Sequence, residues 1–123
     1  MKSILTLLII LSLTSPVLAD EWDSIDKTLL GALIASTSVD CLQTQYIFDN
    51  PDEYHEINSI IVEGVDRFGK GFIPLYFIGI TLIDALVADW LPSDYRKVWL
   101  GFSVGHSATT VYRNYIVGIR LAF

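Results

Sequence analysis

The chain has 123 residues, 52% of them hydrophobic and 18% charged, with a net charge of -6. That length holds one small domain and not two, and the acidic balance supplies no basic surface to neutralise phosphates, which excludes nucleic acid as a partner. A soluble domain carries about 25% charged residues, so the shortfall here, with a mean hydropathy of +0.49, points to a lipid bilayer.

Residues 1–19 read as a secretory signal. Lys2 gives a positive start, Ile4 to Leu13 an apolar stretch, Pro16 a break, and Val17-Leu18-Ala19 the small-residue ending that a signal peptidase recognises. The apolar stretch is shorter than the about 20 residues of a span. No lipobox cysteine stands at its end, which excludes a lipoprotein signal. Cleavage after Ala19 leaves residues 20–123, with the new N-terminus on the periplasmic side of a bacterial inner membrane.

Three segments of that mature chain approach the length of a membrane helix: 25–48, 72–90 and 99–118. Asn50-Pro51-Asp52 is a turn that closes the first. Residues 49–71 connect it to the second. Ile57, Ile60, Ile61 and Val65 recur there at helical spacing, which predicts a short helix lying at the interface. Leu91-Pro92-Ser93-Asp94 closes the second span, and Ser93 or Asp94 can cap the third. Trp22, Trp90 and Trp99 fall at one end of an up-down-up path, as an interfacial aromatic belt requires. Lys and Arg divide evenly between the two ends, so orientation rests on the signal. The expected fold is all-α, a small three-span transmembrane bundle ending in an extended tail.

The spans are not uniformly apolar. In the first, one helical face carries Ser36, Thr37, Asp40, Gln43 and Thr44; in the third, Ser103, His106, Ser107, Thr110, Arg113 and Asn114. The second adds a narrow line of Thr81 and Asp84. Ionisable groups inside a membrane are costly unless they meet a partner or water. Turning the three lines inward sets Asp40 and Asp84 against His106 and Arg113, which balances the buried charge. Gly31, Ala35, Gly101 and Gly105 then face outward, spaced to let another helix approach and to serve a homo-oligomer.

Three readings fit this polar core. It is structural glue that fixes helix register; or a hydrolytic site in which His106, oriented by Asp40 or Asp84, activates water or a serine; or a proton or ion conduit. The acidic run Asp52-Glu53-Tyr54-His55-Glu56 in the connection matches no established ligand spacing, so no metal is expected. Cys41 has no second thiol to pair with. No phosphate-binding glycine loop or other cofactor signature is present.

The string Asp40-x-x-Gln43-Thr44, Tyr54-x-Glu56-x-Asn58, Tyr76-Phe77, Leu91-Pro92-x-x-Tyr95-Arg96-x-x-Trp99 and Asn114-Tyr115-x-x-Gly118-Ile119 resembles an uncharacterised family of small signal-bearing multi-pass membrane proteins of proteobacteria and tailed phages. Ser59 stands where relatives often carry proline. The resemblance implies membrane residence and a phage or prophage setting, such as lysis control or superinfection exclusion, and it implies no reaction. It also picks out Gln43, Glu56, Asn58 and Asn114 as an amide–carboxylate network near the inner membrane face, and it leaves His106 aside.

Overall fold

A computed structural model describes residues 20–123, so the expected signal segment lies outside the described residues. Among these residues there are four helices and no strand: α1 (Ser24–Asp49), α2 (Ser59–Phe68), α3 (Phe72–Trp90) and α4 (Ser93–Ile116). The fold class is therefore all-α, and the helix expected within 49–71 is α2.

Local chemistry sets the boundaries. Asp23 caps α1 by accepting from the Asp26 backbone N–H at 2.9 Å, while the Asp26 carboxylate accepts from the Asp23 N–H at 3.1 Å. This reciprocal box satisfies two of the donors left bare at a helix start. Asn58 caps α2 through its bond from the Ile60 N–H. The fourth helix starts six residues before the expected 99, because Pro92 can lead a helix but not continue one. Its first turn is capped neither by Ser93 nor by Asp94. The Asp20 carboxylate accepts from the Ser93 N–H at 3.0 Å instead. Its C-terminus closes at Gly118, φ +99°, where the Gly118 N–H reaches Tyr115 O and the Ile119 N–H reaches Asn114 O. Only glycine takes that backbone cheaply, and a β-carbon there would also sit 2.8 Å from the Tyr54 hydroxyl. The tail then runs back to α1, with Ala122 N–H donating to Leu42 O.

α1 and α4 run in the same direction and α3 runs against them. Asp26 meets Arg96 near the starts of α1 and α4, and Gln43 meets Asn114 near their ends. α1 packs on both α3 and α4, while α2 packs on α3. Gly64 of α2 sits directly on the Phe72 ring, where no side chain fits. Two small apolar clusters hold the ends. Leu33, Ala88 and Leu100 pack with Trp22 and Trp99 at one end, and Ile61, Ile73 and Phe77 pack with Phe48 and Tyr76 at the other. Between them lies the polar interior.

Of the three expected spans, α3 is the one helix long and apolar enough by composition to cross a membrane. α1 and α4 have 26 and 24 residues, which is ample length at about 1.5 Å per residue, but their polar faces lower their average hydropathy. Those faces turn mainly toward the interior. Among the described residues, eight hydrophobic side chains are buried and nineteen large ones are exposed.

Candidate functional site

Two polar constructions occupy the interior. The first lies at the tryptophan end. Arg96 and Asp26 are both fully buried, with Arg96 Nη1 3.0 Å from Asp26 Oδ2. The guanidinium spends all five of its N–H donors. Besides Asp26, they go to Ala88 O at 2.8 Å, Leu91 O at 3.1 Å, Asp20 O at 2.7 Å and Glu21 O at 3.3 Å. One side chain thus takes the last carbonyls of α3, fastens the segment before α1 and anchors α4. Trp22 covers it, ring centroid 4.9 Å from the guanidinium carbon, and the Trp22 indole donates to Asp89 at 2.7 Å. Lys97 lies 3.3 Å from the second Asp26 oxygen and bonds Asp23 at 2.8 Å. That bond holds the Asp23 carboxyl below the usual carboxylate range and raises the Lys97 ammonium above its ordinary value. This junction was absent from the sequence-derived candidates. The signals for it were the Asp23-x-x-Asp26 box and the Arg96 of the Leu91-Pro92 string.

The second construction is a cleft of about 710 Å³ between α1, α3 and α4, with residues 53–58 across its far end. α1 contributes Leu33, Thr37, Asp40, Thr44 and Ile47, which recur every three or four residues as one helical face. α4 contributes Trp99, Phe102, Ser103, His106, Ser107, Thr110 and Asn114 by the same periodicity. α3 adds Tyr76, Phe77, Ile80 and Asp84. Asp40 lies near Glu56, and Asp84 faces the Ser103 hydroxyl and His106. The His106 ring stacks on Phe102, with centroids 6.4 Å apart.

The structure gathers most of the candidate polar core but not all of it. Asp40, Thr44, Glu56, Asn58, Asp84, His106 and Asn114 line the cleft. Gln43 is buried behind its wall, donating to Val111 O and accepting from Asn114 Nδ2, both at 3.1 Å. Glu56 accepts from the Asn58 N–H at 2.8 Å, and Asn58 Nδ2 donates to the Tyr76 hydroxyl at 2.9 Å. The expected single amide–carboxylate network is two separate sets. Arg113 departs from expectation. It is exposed, stands outside the cleft and forms no ion pair with Asp40. It lies in the last turn of α4, where water solvates the guanidinium and the terminal carbonyls favour a cation. Gly31, Ala35, Gly101 and Gly105 face outward, and nothing lies within 4 Å of a β-carbon built on any of the three glycines.

A nucleophile-and-base arrangement needs a hydrogen bond between the two groups. No hydrogen bond joins the His106 ring to Ser103 or Ser107, and Ser103 turns to Asp84. Among the described residues no group of three His, Cys, Asp or Glu is placed to hold a metal ion. Comparison with family profiles, with curated proteins and with solved structures finds no match.

Proposed function

We propose that this chain is an integral membrane protein, a three-span helical bundle whose acid-lined cleft binds a ligand without transforming it. The observation that carries the membrane reading is a belt without exposed charge. From Thr28 to Phe48 on α1, Phe72 to Ala88 on α3 and Val98 to Tyr112 on α4, no Asp, Glu, Lys or Arg is exposed. Lys27, Asp49, Lys70, Asp89, Asp94 and Arg113 are exposed immediately beyond it. The α3 part of the belt is about 25 Å tall at 1.5 Å per residue, close to the about 30 Å of bilayer hydrocarbon. Leu75, Ile78, Leu82 and Leu86 form an unbroken outward stripe along it.

Binding is favoured over conduction because the cleft ends against the Leu33, Ala88 and Leu100 cluster and the Arg96 junction behind it. It is favoured over serine-based hydrolysis because the His106 ring forms no hydrogen bond to Ser103 or Ser107. In this reading the tryptophan end faces the periplasm, and α2 lies along the opposite interface with Ile57, Ile60 and Phe68 exposed toward lipid. A setting in phage–host membrane biology follows from the sequence resemblance alone.

Alkaline carbonate extraction tests the membrane reading. The protein should stay with the membrane pellet when peripheral proteins are stripped. Its release into the supernatant would contradict the proposal.

A further inference from the structure

The cleft's lining is one-sided in charge. Asp40, Glu53, Glu56 and Asp84 line it, with His55 and His106 as its basic side chains and, among the described residues, no Lys or Arg. Carboxylates in a low-dielectric space are costly without a cation to meet them, and the arginine that the sequence offered for this purpose, Arg113, points away. A second, independent feature marks the space as a site. Ser107 is only 6% exposed, lines the cleft, and its hydroxyl has no hydrogen-bond partner. A buried hydroxyl of that kind is normally satisfied, so among the described residues Ser107 leaves a hydrogen-bonding position that a water or a ligand atom in the cleft fills.

The chemistry of the walls narrows what that partner is. A divalent metal ion needs several oxygen or nitrogen ligands converging on one point, and the acids here are spread along the cleft with no such group among the described residues. Beside hydroxyl, amide and imidazole side chains, the walls carry the aromatic residues Tyr54, Tyr76, Trp99 and Phe102. Aromatic faces attract diffuse cations, and about 710 Å³ falls within the range that encloses a drug-sized molecule.

We infer that the cleft binds a hydrophobic organic monocation, its charge placed between Asp40 and Asp84 and its apolar body against the rings. The inference rests on the binding half of the reading above and names its ligand class.

The test uses two ions of nearly one shape and opposite charge, tetraphenylphosphonium and tetraphenylborate, titrated calorimetrically into the purified protein in a neutral maltoside detergent. The phosphonium should bind saturably at one site per chain and the borate should not. Asp40→Asn and Asp84→Asn should each weaken phosphonium binding about tenfold, as expected for removing one nearby opposite charge from a partly screened site. Equal binding of both ions, unsaturable uptake, or unchanged affinity in both variants would overturn the inference. Should either variant fail to fold, the comparison of the two ions on the unaltered chain still decides. Carbonate extraction separates this result from the membrane reading. Selective cation binding by a protein that carbonate releases would keep the site and remove the bilayer, and a carbonate-resistant protein that ignores the phosphonium would do the reverse.

Discussion

Arg96→Met is expected to be the most damaging single substitution in the chain, lowering stability by about 3 kcal/mol, the lower end of the cost of breaking a buried ion pair, because Lys97 still reaches the Asp26 carboxylate. Methionine keeps much of the arginine's length and apolar stem, so the loss reports the guanidinium and not a cavity. Asp26 would remain fully buried, its Oδ2 keeping the Asp23 N–H but losing the guanidinium, and its Oδ1 keeping Lys97 at 3.3 Å. The carbonyls of Asp20, Glu21 and Leu91 would lose the guanidinium donor at the same time, and Ala88 O would keep only the Leu91 N–H. Arg96→Lys should recover little, because an ammonium has three donors on one atom and cannot match a planar five-donor fork. Adding Asp26→Leu to Arg96→Met should restore little, because it also removes the carboxylate that meets Lys97 and accepts from the Asp23 N–H at the start of α1. The measurement is the unfolding midpoint in detergent, or folded yield where unfolding is not reversible. A change below about 0.5 kcal/mol, the level of an ordinary surface substitution, would show that the junction does not hold the bundle together.

The second large effect belongs to the outer surface. Leu82 lies near the middle of α3 and is 58% exposed. On a water-soluble bundle, Leu82→Arg at so open a position would change stability by about 0.5 kcal/mol or less in either direction. At the centre of a bilayer the same substitution carries an insertion cost of about 3 kcal/mol. The expected result is a clear fall in membrane-integrated protein for Leu82→Arg, with Leu82→Ala near the level of the unaltered chain. Equal amounts of the arginine variant and the unaltered chain in the membrane fraction would mean that this face meets water.

Much of this architecture could be read from residue order. Asn50-Pro51 and Leu91-Pro92 break the chain where α1 and α3 end, and the 3.6-residue spacing of Thr37, Asp40 and Thr44 and of Ser103, Ser107 and Thr110 identified the faces that line the cleft. Such patterns are local, and local patterns survive folding. The Arg96–Asp26 junction joins residues 70 positions apart, and each partner taken alone looks like an ordinary charge at the edge of an apolar segment. Nothing in periodicity selects one such pair among several. Arg113 failed for the opposite reason. It shares an edge of the polar stripe with His106, but a long cationic side chain in the last helical turn reaches water more cheaply than it enters the interior. Gln43 is buried, yet its partners are Val111 O and Asn114 on α4 and not the cleft, a distinction of a few tens of degrees around α1 that sequence spacing does not resolve.

What surrounds the apolar belt decides between membrane and water, and a nitroxide at position 82 reports it directly. With Cys41 replaced by alanine and Leu82 by a spin-labelled cysteine, the protein is reconstituted in lipid vesicles and the label's collisions with oxygen and with a water-soluble nickel chelate are compared. Oxygen concentrates in hydrocarbon and the chelate in water. High oxygen and low nickel accessibility is the predicted result; dominance of nickel would place α3 in water and contradict the membrane assignment.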